Sequence, residues 1–536
     1  MQCASVRRLV ALAFCVLLAA GCGRGGGEPP KTAVPRERTD PAFVQTATGA
    51  VRGVVAPDHR MFAGIPYAAP PVGPLRWQPP APAAVWQGVR DATHPGLRCI
   101  QNARSDPELG RHAGEDCLTL NVWTPPPSDE RKPVMVWIHG GAFINGSASI
   151  YDSRWLAGRG DIIVVTINYR LGALGFLAHP GLGPAGAVGN YGLEDQQAAL
   201  HWVRDNIANF GGDPGKVTIA GESAGGMSVC DHLVAPGSEG LFRAAIIQSA
   251  PCQAQVALPE AEKVSLDYAA QVGCGVRESA AQCLRALPPE RLQDVPGYYR
   301  IGADALSGPV TGTVALPTDP VAAFGRHDFA RVPVLIGGNR DEFTLFVAMQ
   351  YLRLGTRYTT DQYPQLLSDT FGANAGAVEQ HYRLDGYHGD VALAYSAAVT
   401  DGVFACYAER TADSLAAAQP VYSYEFNDPD PPAPDPFRTL PFPIGASHSL
   451  ELRYLFDIGG APPLNPAQQV LSEQMIDYWS QFVTSGAPRA ANQPEWPELG
   501  TDAAAGKVLS LQPDGSRVIT TFAQEHQCAF WASVKG

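Results

Sequence analysis

Gly221-Glu222-Ser223-Ala224-Gly225 sets a serine between two glycines, directly after the apolar run 216–220 and before a helix-like stretch, 226–233. A G-x-S-x-G between a strand and a helix is the pattern of a nucleophile elbow. The turn is so tight that a Cβ beside the serine would meet backbone, which is why both flanks are glycine. It lifts a hydroxyl to the start of a helix, where the dipole favours developing negative charge. In a chain with 56 glycines the five letters alone say little. Their strand and helix context gives them weight.

Acyl transfer at Ser223 needs a base, a group that orients the base, and donors for an oxyanion. His139-Gly140-Gly141-Ala142-Phe143 follows the apolar run 134–138, and its small residues leave backbone N–H groups open to a reacting carbonyl. In such an arrangement an acid and then a histidine follow the serine along the chain. Gly337-Gly338-Asn339-Arg340-Asp341-Glu342 follows the run 332–336 and offers two adjacent carboxylates, between which the chemistry alone does not choose. The base comes from His381, His388, His448 or His526. His448 is favoured, because Gly445-Ala446-Ser447-His448-Ser449 is a small-residue loop able to approach a site. His381 lies in a helix-like stretch, His388 in a turn and His526 near the chain end. An ordinary imidazole base would make activity climb with pH through about 6.5.

These groups need a scaffold. Runs at 118–123, 133–138, 162–168, 217–220, 244–248, 332–336 and 421–426 are mostly continuous apolar stretches, as strands covered on both faces require. Between them lie helix-like segments; 193–207 puts Leu193, Ala199, Leu200, Val203 and Ile207 broadly on one face. Strand–helix–strand order predicts an α/β architecture with a largely parallel sheet. Residues 44–55 alternate around Gly49 and predict a hairpin. The Pro-rich stretch 66–82 should be irregular but ordered, since it carries Tyr67, Leu75 and Trp77. No internal repeat or linker divides residues 41–536, which read as a single domain.

A net charge of −13 argues against nucleic acid as a partner. Arg7, Arg8 and a short apolar stretch ending in Leu18-Ala19-Ala20-Gly21-Cys22 read as a leader over 1–22, followed by a Gly/Pro-rich linker, 23–40. The leader resembles a bacterial lipoprotein signal, with Cys22 as the lipidated terminus and a membrane contact only through that anchor; ordinary secretion is the alternative. Either reading exports the chain to the periplasm, the outer membrane or the medium. Eight cysteines remain beyond the leader: Cys99, Cys117, Cys230, Cys252, Cys274, Cys283, Cys406 and Cys528. An even number in an oxidising compartment suggests disulfides, and the absence of a C-x-x-C pair makes zinc a poor reading.

From about Val51 to the C-terminal region the chain resembles the type-B carboxylesterase family, which includes carboxylesterases and cholinesterases. The resemblance is carried by Phe62-Ala63-Gly64-Ile65-Pro66-Tyr67-Ala68, Pro71-Val72-Gly73-Pro74-Leu75-Arg76-Trp77 and Glu115-Asp116-Cys117-Leu118-Thr119-Leu120-Asn121. Asn168-Tyr169-Arg170-Leu171-Gly172, Gly189-Asn190-Tyr191-Gly192-Leu193-Glu194-Asp195-Gln196 and Phe210-Gly211-Gly212-Asp213-Pro214 continue it into the elbow. It implies the α/β-hydrolase fold, with insertions forming an active-site gorge. It implies Ser223 as nucleophile, Glu342 as acid, His448 as base, and backbone oxyanion donors at Gly141, Ala142 and Ala224. Ala142 replaces the commoner glycine, and since only its N–H is used little effect is expected. Ser249 matches a serine that supports the triad with a hydrogen bond.

The resemblance also implies disulfides Cys99–Cys117, Cys274–Cys283 and Cys406–Cys528. Cys230 and Cys252 have no family partner; they pair with each other or, by default, stay buried thiols. The implied activity is serine hydrolysis of aliphatic or aryl carboxylic esters through an acyl-enzyme, with no metal or organic cofactor. Cholinesterases carry a tryptophan between the first two disulfide cysteines, and 100–116 here contains no aromatic residue, which disfavours choline esters. Alternatives on the same triad are an amidase or carbamate hydrolase and a longer-chain lipase. A non-catalytic adhesion module is a rival of another class, disfavoured because all three triad positions are filled.

Overall fold

A strand that is apolar on both faces needs cover on both, and the central strand Lys132–Ile138 shows how that is met. Val134, Val136 and Ile138 join an apolar core on one side of the sheet, while Met135 and Trp137 join a second core on the other. The computed structural model describes residues 40–102, 112–301, 304–500 and 506–534; the leader and the linker through residue 39 lie outside them. Pro41–Gly536 holds together as one unit.

The main sheet has eleven strands among the described residues: β1 (Val54–Val55), β2 (Arg60–Pro66), β3 (Thr119–Thr124), β4 (Lys132–Ile138), β5 (Ile163–Ile167) and β6 (Gly212–Glu222), then β7 (Ala244–Gln248), β8 (Val334–Asn339), β9 (Val421–Phe426), β10 (Val508–Leu511) and β11 (Arg517–Ile519). Their order is β11-β10-β9-β8-β7-β6-β4-β5-β3-β2-β1. From β5 to β10 every neighbouring pair is parallel. Antiparallel strands close both edges. Helices α1 (Tyr191–Asn206) and α2 (Ala224–Val234) flank the sheet near the elbow. Further on come α3 (Thr344–Leu354), α4 (Val391–Val399), α5 (Cys406–Ala416), α6 (Pro466–Ser485) and α7 (Cys528–Ser533). A π-helical turn, Thr400–Ala405, joins α4 to α5. A third apolar cluster gathers Phe343, Tyr395, Phe404 and Trp531 around that turn.

All seven expected strands form, with shifted ends. β6 runs on to Glu222, because the strand leads straight into the elbow. β8 starts at Val334 and continues through Gly337 and Gly338, since glycines in a parallel strand still supply ladder bonds. The stretch 44–55 is not one hairpin: Phe43–Gln45 pairs with Ala50–Arg52, and Val54–Val55 departs to the edge of the main sheet. Tyr67 and Trp77 are buried, so the Pro-rich stretch is anchored as expected, and Trp77 Nε1 donates to the Ala173 carbonyl at 2.8 Å. β2, β10 and β11 were not legible as strands; they lie at or next to the two ends of the sheet, where β2 and β10 are recruited by remote strands and β11 by its neighbour β10.

Candidate active site

Ser223 sits at φ 56°, ψ −123°, between β6 and α2. Its N–H donates to the Gln248 carbonyl and its own carbonyl accepts from Met227 N–H, both at 2.9 Å, so strand and helix hold the turn from each side. A Cβ on Gly221 would run into Gly225, and one on Gly225 into the Ile138 carbonyl. Those two contacts explain why the flanking glycines cannot be replaced. Ser223 Oγ makes no hydrogen bond among the described residues and is only half-buried.

His448 and Glu342 come together across 106 residues of chain: His448 Nδ1 lies 2.6 Å from Glu342 Oε2. Glu342 is further fixed by the Asn339 N–H, which donates to its Oε1 at 2.7 Å. Of the two adjacent carboxylates, geometry puts Glu342 on the imidazole. Asp341 instead clamps the base loop: its Oδ2 accepts from Ala446 N–H at 2.9 Å, and its N–H donates to the Ala446 carbonyl at 3.0 Å. A side chain on Gly445 would collide with Asp341, so the small-residue loop is a packing requirement.

The other nitrogen, His448 Nε2, lies 3.1 Å from Glu222 Oε1, the residue just before the serine. Ser449 Oγ donates to the same oxygen at 2.9 Å. A Cβ on Gly140 would fall 2.7 Å from Glu222 Oε2 and 3.1 Å from Ser223 Cβ, which sets the glycine loop directly against the elbow. Burial by itself pushes the His448 imidazole down, but Glu222 and Glu342 raise it, to about 9. The expectation of an ordinary imidazole near 6.5 is therefore corrected. Glu222 itself is pushed up by burial, against the pull of His448. Behind it Glu451 is fully buried, accepting from Asn339 Nδ2 at 2.7 Å and Gln248 Nε2 at 3.2 Å, and burial pushes it up as well.

The loop after β4 turns through left-handed backbone at Gly141 (φ 105°), Ala142 (φ 55°) and Phe143 (φ 59°). The N–H groups of Gly141, Ala142 and Ala224 bond to no acceptor among the described residues. Left-handed backbone costs a non-glycine residue about 1 kcal/mol, so Ala142 is mildly strained where glycine would not be. His139 is kept neutral by burial, at about 4, and its Nδ1 donates to the Gly140 carbonyl at 2.8 Å. Its own carbonyl accepts from Tyr169 OH at 2.7 Å.

Ser249 departs from expectation. Its N–H donates to the Gly337 carbonyl at 2.8 Å, but its buried Oγ has no hydrogen-bond partner among the described residues, so the supporting bond is not seen there. His381 and His388 are exposed and stand apart from the pair. His526 is buried in a carboxylate cluster of its own. Cys99–Cys117, Cys274–Cys283 and Cys406–Cys528 form as expected. Cys230 and Cys252 are joined too, against the default of free thiols, which ties α2 to the segment leaving β7. Four disulfides among the described residues fit an exported protein.

Sequence reasoning gave no role to Glu222, although it lies inside the pentapeptide, or to Glu451, three residues after His448. Phe346 and Phe404 were also missed; their rings lie 5.2 and 5.5 Å from the His448 ring. The signal for Glu222 was a charge at the end of a strand whose preceding residues, Val217 to Gly221, are uncharged and buried. Nothing local marks the two aromatics.

A mostly parallel sheet with an elbow serine after a central strand, and an acid and histidine following later strands, defines an α/β-hydrolase. The chain belongs to the Carboxylesterase family, which it matches over residues 40–531, and is a carboxylic ester hydrolase. It is 35% identical to acylcarnitine hydrolase of Mus musculus over 522 residues, covering 92% of this chain and 90% of that protein. It is 35% identical to fumonisin B1 esterase of Sphingopyxis macrogoltabida over 514 residues, covering 90% and 91%. With cocaine esterase of Oryctolagus cuniculus it shares 34% over 498 residues, covering 88% and 91%.

Proposed function

We propose that Ser223 is the nucleophile, His448 its base and Glu342 the acid that orients the base, in hydrolysis of aliphatic or aryl carboxylic esters through an acyl-enzyme. The contact of 2.6 Å between His448 Nδ1 and Glu342 carries the reading, because it fixes the tautomer that leaves Nε2 to work. His448 takes the Ser223 proton as the hydroxyl attacks the carbonyl. The imidazolium then formed lies between Glu342 and Glu222, the same carboxylates that raise its proton affinity. Gly141, Ala142 and Ala224 offer N–H groups to the oxyanion, and each such donor is worth roughly a hundredfold in rate. Alcohol leaves with the proton from His448, and water repeats the sequence to release the acid.

In the resting arrangement Nε2 is engaged by Glu222 rather than by Ser223, and apo enzymes commonly show this kind of loose geometry. The Phe346 and Phe404 rings beside His448 favour apolar groups next to the scissile bond. Relatives are named for substrates as unlike as acylcarnitine, fumonisin B1 and cocaine, so a series of esters varied in both acyl and alcohol parts is the way to find preference. Ser223→Ala is expected to lower hydrolysis of a chromogenic short-chain ester by at least ~1,000-fold while the fold persists. Retention of a tenth of the activity would sink the assignment.

We extend the reading to export, which the disulfides support, and to a lipid anchor at Cys22, which rests on the leader sequence alone. Expression in a bacterial host should put the enzyme in the membrane fraction, and Cys22→Ala should release it; an unchanged distribution removes the anchor.

A further inference from the structure

Behind the catalytic pair lies a histidine that the reaction does not use. His526 is 5% exposed, and both ring nitrogens meet carboxylates: Nδ1 is 2.6 Å from Asp401 Oδ1 and Nε2 is 2.7 Å from Glu425 Oε1. Burial alone would push this ring down, but the two carboxylates hold it up, at about 10. As an imidazolium it has no lone pair for a substrate proton or a metal. The surrounding charges are arranged around the same cluster. Arg340 reaches Glu525 at 2.9 Å and Glu425 at 4.0 Å, and Asp341, Glu409, Tyr382 and Tyr387 are the other titratable groups that face the cluster.

Asp401 belongs to the π turn Thr400–Ala405, and such turns inside helices often mark functional positions. This one touches His448 directly and reaches Glu342 through the next residue along the chain. Thr400 Oγ1 accepts from the N–H of Phe343, the residue after Glu342, at 3.0 Å. Phe404 packs its ring on His448, at 5.5 Å between centroids. The last helix is seated on the same turn: the Trp531 ring occupies the space where a Cβ on Gly402 would stand. Trp531 Nε1 donates to Tyr382 OH at 2.7 Å, Tyr382 OH donates to Asp401 Oδ2 at 2.8 Å, and Cys406–Cys528 closes the connection covalently.

We infer that His526 is a positioning residue for the hydrolysis: through Asp401 it fixes the π turn Thr400–Ala405, and that turn holds Glu342 and His448 in place over Ser223. The inference rests on the catalytic assignment above. Small displacements of reacting groups are costly, so a loosened turn should be read in the chemical step and not in binding.

The test compares wild type with His526→Gln and His526→Gly, using kcat per active site counted by fluorophosphonate titration, so that misfolded chains drop out. Activity of the wild type and its loss in Ser223→Ala are the controls; failure of that contrast overturns the catalytic assignment itself. The expected result is a fall of roughly tenfold in kcat per titrated site, KM within about twofold, and a displaced pH–rate limb. Imidazole should restore most of the loss in His526→Gly, since His526 and Asp401 border a cavity of about 300 Å³ through which it can enter. Wild-type kcat per site with an unmoved pH limb, even at a lower Tm, would make His526 purely structural and overturn the inference. A fall that imidazole does not reverse would overturn it equally.

Discussion

Two histidines in this molecule have almost the same immediate surroundings and opposite fates. His448 is 4% exposed between Glu342 and Glu222, and His526 is 5% exposed between Asp401 and Glu425. Burial opposes the charged ring in both, and carboxylates raise both, to about 9 and about 10. The difference lies in what stands beyond the carboxylates. Glu222, which meets His448 Nε2, directly precedes Ser223 on the elbow, and the Ser223 hydroxyl makes no hydrogen bond among the described residues. Around His526 the neighbouring side chains are already spent: Tyr382 on Asp401, Arg340 on Glu525, and Cys406 in a disulfide. A histidine between carboxylates is thus no signature of catalysis by itself. What sets His448 apart is that one of its two carboxylates, Glu222, adjoins the elbow serine along the chain.

The comparison can be broken at its carboxylates. Glu342→Gln should lower kcat by about 10,000-fold, because the amide no longer holds the tautomer or the positive ring, whereas Glu425→Gln should cost about tenfold or less. Kinetics on a short-chain ester decide it, and equal losses at the two sites would erase the distinction. A smaller effect follows from Glu222. The base works when neutral, and its raised value means that kcat/KM rises with pH through a point well above 6.5. Glu222→Gln removes one of the charges holding the ring protonated, so that limb should move down by about one pH unit. A pH–rate profile of kcat/KM checks the direction; an upward or absent shift would show that Glu222 does not act on the base.

Much of the reactive centre could be read from short segments. The elbow, the donor loop and the two candidate acids each follow an apolar strand run, and all of those runs became strands. The choice between Asp341 and Glu342 could not be made from chemistry, because adjacent residues share every local property and differ only in the direction they face at the end of β8. Family resemblance preferred Glu342, and the structure places it on His448 while turning Asp341 to Ala446. The pairing of Cys230 with Cys252 was equally closed to sequence, since it depends on how closely α2 approaches the segment after β7. So was the hydroxyl of Ser249, left without a partner by its local packing.

By itself the sequence determined the reaction class, because an elbow needs only a strand, two glycines and a serine in order, and local sterics do the rest. It also determined the layered α/β architecture, which continuous apolar runs impose by demanding cover on both faces. Tertiary structure alone decided the electrostatics. The His448 ring is held well above an ordinary imidazole, and so is the His526 ring, because folding sets carboxylates from remote segments against each of them in a dry interior. Proton affinity depends on those distances and on burial, and neither is a property of any stretch of chain read alone.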